Sequence, residues 1–461
     1  MLALIVSISA LLASTAILMT GSGLLGTLLS VRMSAEAFDP GVTGLVLSAY
    51  FAGLVLGAFG AGTVVRRAGH VRAFAAFAAV VTAATLIHSL WVNPWVWGAL
   101  RVVSGFCLAG LYMVIESWLN ERGAGHARGR IFSLYQTMSY LGLGLGQLML
   151  PLRPVEGPEL FTINAILLAL CLVPVTLTRS IHPTPPARTP MALALVFRGS
   201  PLGVLVCLGA GIVNGAAFAL APVFIVEQQG VSSVATFMGA MVLGGMLLQY
   251  PIGHLSDVFD RRLLIAAINL ALVAVAGGML YVADAGLWIL AGVGLGFGGL
   301  TFTLYPLAVA HINDRIQSDN FLGVAGALLF LWGLGAVIGP VVFGQVMAWV
   351  GVSGLFDAVA VTAAIMAVAT LSARRESVPQ AEQTPFVSMA RTTTMITEMD
   401  PRAGSDDSQI DWIEHLSITE ASAMPEPAFE PRSGANVDPS GICDAAAANA
   451  DDASATAVGS R

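Results

Sequence analysis

Gly253-His254-Leu255-Ser256-Asp257-Val258-Phe259-Asp260-Arg261-Arg262 closes one apolar stretch of the chain. Gly62-Thr63-Val64-Val65-Arg66-Arg67-Ala68-Gly69-His70-Val71-Arg72 closes another. Each is a glycine followed by a tight run of charge, and the two glycines stand 191 positions apart. That separation is about half of the apolar region, so the chain reads as two related halves. Internal repeats of this kind mark membrane proteins built from two equivalent bundles.

Composition agrees. Of 461 residues, 56% are apolar and 11% charged, with a mean hydropathy of +0.80. A soluble chain carries about 25% charge, so lipid is the expected solvent over most of this one. No charge precedes Arg32, and many further runs reach the ~20 apolar residues that span a bilayer. In lipid every backbone group must be satisfied within a segment or around a closed barrel. Long continuous runs select helices. The first run has no basic flank and is far longer than a signal-peptide core, so it reads as a spanning helix. Cys107, Cys171 and Cys207 fall inside apolar runs and Cys443 in the tail, with neither a disulfide framework nor a metal spacing. No cofactor is expected, and no nucleophile stands beside a base, so an enzyme is not expected. All 21 basic residues are arginine, and there is no Gly-x-x-x-x-Gly-Lys-Ser/Thr loop, which excludes ATP-driven pumping by this chain alone.

The runs divide into twelve predicted spans. Six cover 3–30, 41–65, 72–92, 95–118, 130–150 and 160–178; six more cover 201–225, 234–256, 262–283, 286–309, 322–349 and 352–372. This predicts an all-α membrane protein with a six-helix bundle over 1–180, a linker over 181–200 and a second bundle over 201–375. The linker carries Pro183, Pro185, Pro186 and Pro190, which remove backbone donors and oppose a continuous helix. Loops on one side, with the segment after the last span, hold Arg66, Arg67, Arg72, Arg122, Arg128, Arg130, Arg179, Arg188, Arg198, Arg261, Arg262, Arg315, Arg374 and Arg375. The other side holds only Arg32 and Arg153. Cytoplasmic loops are the arginine-rich ones, so both termini are expected inside a bacterial cytoplasmic membrane. Trp91, Trp95 and Trp97 bracket an outer loop as an interfacial aromatic belt would.

From Glu376 the composition changes to a segment rich in acids, Pro, Ser, Ala and Gly. It cannot bury enough apolar surface to offset its ordering entropy, so 376–461 is expected to be a disordered acidic cytoplasmic tail. Ile410, Trp412, Ile413 and Leu416 form a small apolar cluster in it. That cluster reads either as chance or as a docking helix for a partner protein.

Twelve spans, a repeat and two charged loops resemble the major facilitator superfamily. Its loop signature is similar to Gly-x-x-x-Asp-Arg/Lys-x-Gly-Arg/Lys-Arg/Lys, which the second copy meets through Gly253, Asp257, Arg261 and Arg262. The first keeps Gly62, Arg67 and Gly69 but has Arg66 where the family has aspartate. Arg101 and Gly105 resemble the Arg-x-x-x-Gly of the fourth helix. Gly335, Gly339, Pro340 and Gly344 on the eleventh span are similar to a packing and hinge pattern that antiporters carry on the fifth. Ile115-Glu116-Ser117-Trp118 and Gln249-Tyr250-Pro251-Ile252-Gly253 resemble the YcaD-like branch of bacterial permeases.

The resemblance implies a monomeric secondary transporter moving a small molecule by alternating access, with proton-coupled efflux and uptake both open and no nucleic acid involved. It makes Gly62, Arg66, Arg67, Gly69, Arg72, Gly253, Asp257, Arg261 and Arg262 a gating set. By the family's pattern Asp257 meets the N-terminus of the fifth helix, an anion-binding end. The alternative is that these charges only set topology. Arg101 lies about 9 Å into the fourth span from Trp95 at ~1.5 Å per residue, where a cation is costly unless it serves a cavity or snorkels. Glu116 lies about 31 Å along, near the inner boundary. It reads as a coupling carboxylate or, more simply, as a partner of Arg67 or Arg72. Tyr112, Tyr135, Gln136, Tyr140, Asn214, Gln249 and Trp332 are the further pocket candidates. Amides and aromatics with at most one cation suit an uncharged, amphipathic or mono-anionic solute. A membrane-embedded sensor or scaffold using the tail is the second reading.

Overall fold

The computed structural model describes residues 2–121, 127–177, 190–281, 286–316, 321–373, 386, 392 and 393. Met1–Ser408 form one compact unit; Gln409–Arg461, with the Ile410–Leu416 cluster, lie outside the described residues, as do Arg122, Arg179, Arg188, Arg374 and Arg375. The described elements are helical throughout. The first half comprises α1 (Leu2–Ala35), α2 (Pro40–Ala68), α3 (His70–Leu90), α4 (Pro94–Glu121), α5 (Ala127–Leu148), α6 (Glu159–Leu170) and α7 (Leu172–Thr176). A short α8 (Leu193–Gly199) leads into α9 (Pro201–Gln229), α10 (Val231–Val258), α11 (Arg261–Met279), α12 (Leu287–Asn313), α13 (Phe321–Val350) and α14 (Gly354–Ser372).

Local chemistry sets the boundaries. Proline opens α2 and α9, where its missing N–H costs nothing. Asp39 accepts from the Gly41 amide at 2.8 Å and Ser200 from the Gly203 amide at 3.2 Å, each satisfying a donor that the helix leaves free. Gly69, at φ +81°, turns α2 directly into α3, a conformation open to glycine.

Among the described residues eleven helical stretches, with α6 and α7 taken together as one, are long and apolar enough to cross a membrane. The fifth predicted span is the exception, because Arg128, Arg130, Gln136 and Gln147 make α5 more polar. Its 22 residues still reach about 33 Å, and it packs along α1 and α10. The sixth predicted span is broken. Pro174 lacks the N–H that would bond the Leu170 carbonyl, and the Cys171 carbonyl at the break accepts from Ser14 Oγ at 2.6 Å. The linker, expected to be irregular, contains α8.

Packing repeats with the sequence. α2 lies on α4, α1 on α5 and α3 on α6; correspondingly α10 lies on α12, α9 on α13 and α11 on α14. The halves meet where α2 crosses α13, α5 crosses α10 and α1 crosses α9. Small residues bring the backbones together, as in lipid they must. A β-carbon on Gly105 would overlap the Tyr50 carbonyl, and one on Gly335 or Gly339 would overlap the carbonyls of Leu208 or Ile212. At the end away from the charged loops, Gly44 meets Pro340 and Gly344 across the α2–α13 seam. Exposed Trp91, Trp95, Tyr281, Trp288 and Trp349 ring that same end. Trp97, expected in this belt, is instead fully buried and donates to the Trp91 carbonyl at 2.7 Å.

A pocket between the halves as candidate functional site

The seam encloses a pocket of about 200 Å³. Its polar wall comes from the first half: Ser22 on α1, Tyr50 on α2, Arg101 and Tyr112 on α4, and Gln136 on α5. Phe218, Phe302 and Trp332 from α9, α12 and α13 supply an aromatic wall opposite. The Arg101 guanidinium carbon stands 4.4 Å from the centre of the Tyr50 ring, a cation–π geometry. Ser22 Oγ and the Tyr112 hydroxyl lie 3.1 Å apart. Arg101 is 5% exposed, its Nε has no hydrogen-bond partner, and among the described residues it makes no ion pair. Gln136 Oε1, also at the pocket, is likewise unpartnered.

Of the sequence candidates, Arg101, Tyr112, Gln136, Tyr140 and Trp332 therefore share one cavity. Gln249 is beside it, accepting from the Tyr140 hydroxyl at 3.0 Å across the α5–α10 seam. Asn214 is not in the pocket: its amide donates to the carbonyls of Ala210 (2.8 Å) and Thr301 (3.0 Å), tying α9 to α12. Ser22, Phe218 and Phe302 escaped the sequence reading, because an apolar or small residue in a spanning run carries no mark of which face it presents.

Glu116 and Tyr135 lie beyond the pocket toward the charged loops. Glu116 is fully buried and accepts from the Tyr135 hydroxyl at 2.8 Å and from the hydroxyls of Thr392 and Thr393. The expected pairing with Arg67 or Arg72 is not formed; both arginines are exposed, and hydroxyls do the solvating instead. His70 shares a 3.1 Å contact with Ser117 Oγ, which joins α3 to α4.

The second charged loop is a closed network. Arg261, 3% exposed, bridges Asp257 at 3.0 Å and Asp314 at 2.6 Å and also reaches the Ala310 carbonyl. Arg262 donates to the Thr370 carbonyl at 2.6 Å and to Leu371, at the C-terminal end of α14 where a cation is favoured. Asp257 was expected at the start of α5; here it accepts from Arg261 and from the Phe386 amide at 2.9 Å. In the first copy, among the described residues, Arg66 bonds only its neighbour Thr63 Oγ1 at 3.0 Å. Asp314 is the partner that loop spacing could not reveal, since it comes 53 residues after Arg261.

A family model described as Major Facilitator Superfamily matches residues 11–312 and 232–420. The chain belongs to the major facilitator superfamily. An uncharacterized MFS-type transporter YcaD of Escherichia fergusonii is 29% identical over 336 residues, 72% of this chain and 86% of the relative. The YcaD protein of Salmonella typhimurium is 27% identical over 340 residues, with the same coverage. Among solved structures, the nucleoside transporter NupG superposes with a TM-score of 0.68 at 14% identity, covering 79% of this chain and 98% of that one. A bacterial homologue of the lysosomal transporter Spinster, inward-facing and occupied, gives 0.62 at 12% identity over 79% and 94%. At such identities these two share the major facilitator fold, and the pocket chemistry must be read from this chain's own residues.

Proposed function

We propose that this chain is a secondary transporter whose solute is a small organic monoanion with an apolar or aromatic body, moved across the bacterial cytoplasmic membrane by alternating access. The observation that carries this reading is Arg101. A buried cation with no carboxylate paired to it among the described residues is costly in a low-dielectric interior, and here it opens onto a cavity whose far wall is aromatic. An anionic head on Arg101, a hydrogen bond to Gln136 or Tyr112, and a ring against Phe302 and Trp332 would use both the polar and the aromatic wall. The arginine-rich face is the cytoplasmic one by the positive-inside rule. The α2–α13 contact at the opposite end makes this an inward-directed state, in which Asp257 is free of its expected place at α5. Glu116, a buried carboxylate solvated by hydroxyls, is the group best suited to carry a coupling proton.

The test is uptake into proteoliposomes of labelled benzoate and indole-3-acetate against benzamide, benzylamine and uridine. Acids should be carried and the others not. Arg101→Gln should weaken apparent affinity about 30-fold, the equivalent of ~2 kcal/mol for a charged hydrogen bond. Arg101→Lys should fall between, since it keeps the charge and loses the planar fork. Equal transport of benzoate and benzamide sinks the monoanion reading. Glu116→Gln should abolish acceleration by an imposed pH gradient. The sensor or scaffold reading has no comparable observation behind it, because its apolar tail cluster lies outside the described residues.

A further inference from the structure

The route from the pocket to the arginine-rich face is not empty. Three described residues of the chain's own C-terminal segment stand in it. The Phe386 amide donates to Asp257 Oδ1 at 2.9 Å, and its ring lies where a side chain on Gly253 would be. Phe386 also helps to line, with Phe132, Gln136, Gln249 and Tyr250, a second cavity of about 430 Å³ between α5 and α10. Further in, the Thr392 and Thr393 hydroxyls take one oxygen each of Glu116. Thr393 is fully buried, and Thr392 forms part of the wall of the pocket that holds Arg101.

We propose that Phe386, Thr392 and Thr393 form a tethered blocker, an intrachain ligand of the pocket's arginine-rich mouth that must leave before solute can pass. The match is chemical. The mouth offers two carboxylates and the bare backbone of Gly253; Phe386, Thr392 and Thr393 bring an amide donor, two hydroxyl donors and one ring. The carboxylates it takes, Asp257 and Glu116, are those to which the gating and coupling readings give a task. Only twelve residues separate Ala373 at the end of α14 from Phe386, and a short tether gives a millimolar effective concentration, so weak contacts suffice for high occupancy.

The inference rests on the pocket being the solute site, but its test needs no solute. In the full-length chain, with Cys107, Cys171, Cys207 and Cys443 exchanged for serine, Ser139→Cys reports on the pocket wall and Ser22→Cys serves as a second reporter. The readout is the rate of maleimide labelling in inside-out vesicles. If the blocker is docked about nine-tenths of the time, the open fraction is ~0.1, and adding Phe386→Ala with Thr392→Val and Thr393→Val should raise the rate about 10-fold. Thr392→Glu with Thr393→Glu should raise it too, by setting new negative charge against Glu116. A synthetic peptide of residues 384–396 should slow labelling of the triple variant again. Equal rates in the parent and both variants, at equal amounts of folded protein, overturn the proposal. Faster labelling in a protein that carries no organic acid would leave the blocker standing and remove the solute reading. Acid transport with unchanged labelling would do the reverse.

Discussion

Arg66 and Asp257 occupy repeat-related positions, yet their surroundings make them unequal. Arg66 is exposed and, among the described residues, holds only Thr63. Asp257 belongs to a bridge through Arg261 to Asp314, in which Arg261 and Asp314 are 3% and 4% exposed. Removing one partner of a buried pair strands the other charge. Asp314→Asn should therefore cost about 3 kcal/mol, the low end for a broken buried pair because Asp257 remains. It should appear as a lower unfolding midpoint in detergent. Arg66→Gln should stay within about 0.5 kcal/mol, as surface changes do. If the two variants melt alike, the network is not what joins α10, α11 and α12.

At the scale of elements, the helices approach through glycine, and the approach is uneven along the chain. Gly339 faces the Ile212 carbonyl, whereas nothing lies within 4 Å of a β-carbon on Gly98 in α4. Gly339→Val must part α13 from α9. Overpacking of that kind costs about 1–3 kcal/mol, and the monodisperse fraction after mild heating should drop. Gly98→Ala should leave that fraction unchanged or slightly higher, since alanine is the better helix former by ~1 kcal/mol. Equal losses in both would mean that the α9–α13 contact is looser than the packing indicates. α5 carries a related lesson. Its arginines and amides lower its hydropathy, but Gln147 spends its amide on the Gly23 carbonyl and accepts from Thr27 at 2.5 Å, so the polarity of that one residue is consumed inside the bundle.

For the molecule as a whole, the arginine asymmetry and the twelve crossings make a joint claim. Reporters fused after Gly125 and after Arg188 should read as cytoplasmic, and one near Gly157 as external. An external signal at Arg188 would remove one crossing from the first half and undo the pairing of repeats. A chain ending at Ser377 should insert with the same topology, because the described helices are complete by Ser372. It should also expose the pocket, since it lacks Phe386, Thr392 and Thr393; failure of insertion would give the tail a role in assembly.

The class of protein and most helix ends were legible in the sequence. They follow from quantities that act locally: apolar length against bilayer thickness, proline and capping residues, and the sign of loop charge. The charged loops at Gly62 and Gly253 and the small-residue run at Gly335–Gly344 carried the family resemblance for the same reason. The pocket was legible only in part. Arg101, Tyr112 and Gln136 stood out because polar groups are rare in spans, but Phe218 and Phe302 look like any lipid-facing aromatic until α9 and α12 are placed. Only the tertiary structure decided that Glu116 meets Tyr135 rather than arginine, that Arg261 reaches Asp314, and that Phe386 and the two threonines reach Asp257 and Glu116 from 129 to 277 residues away. Those contacts depend on how helices rotate and cross, which a one-dimensional pattern of polarity does not contain.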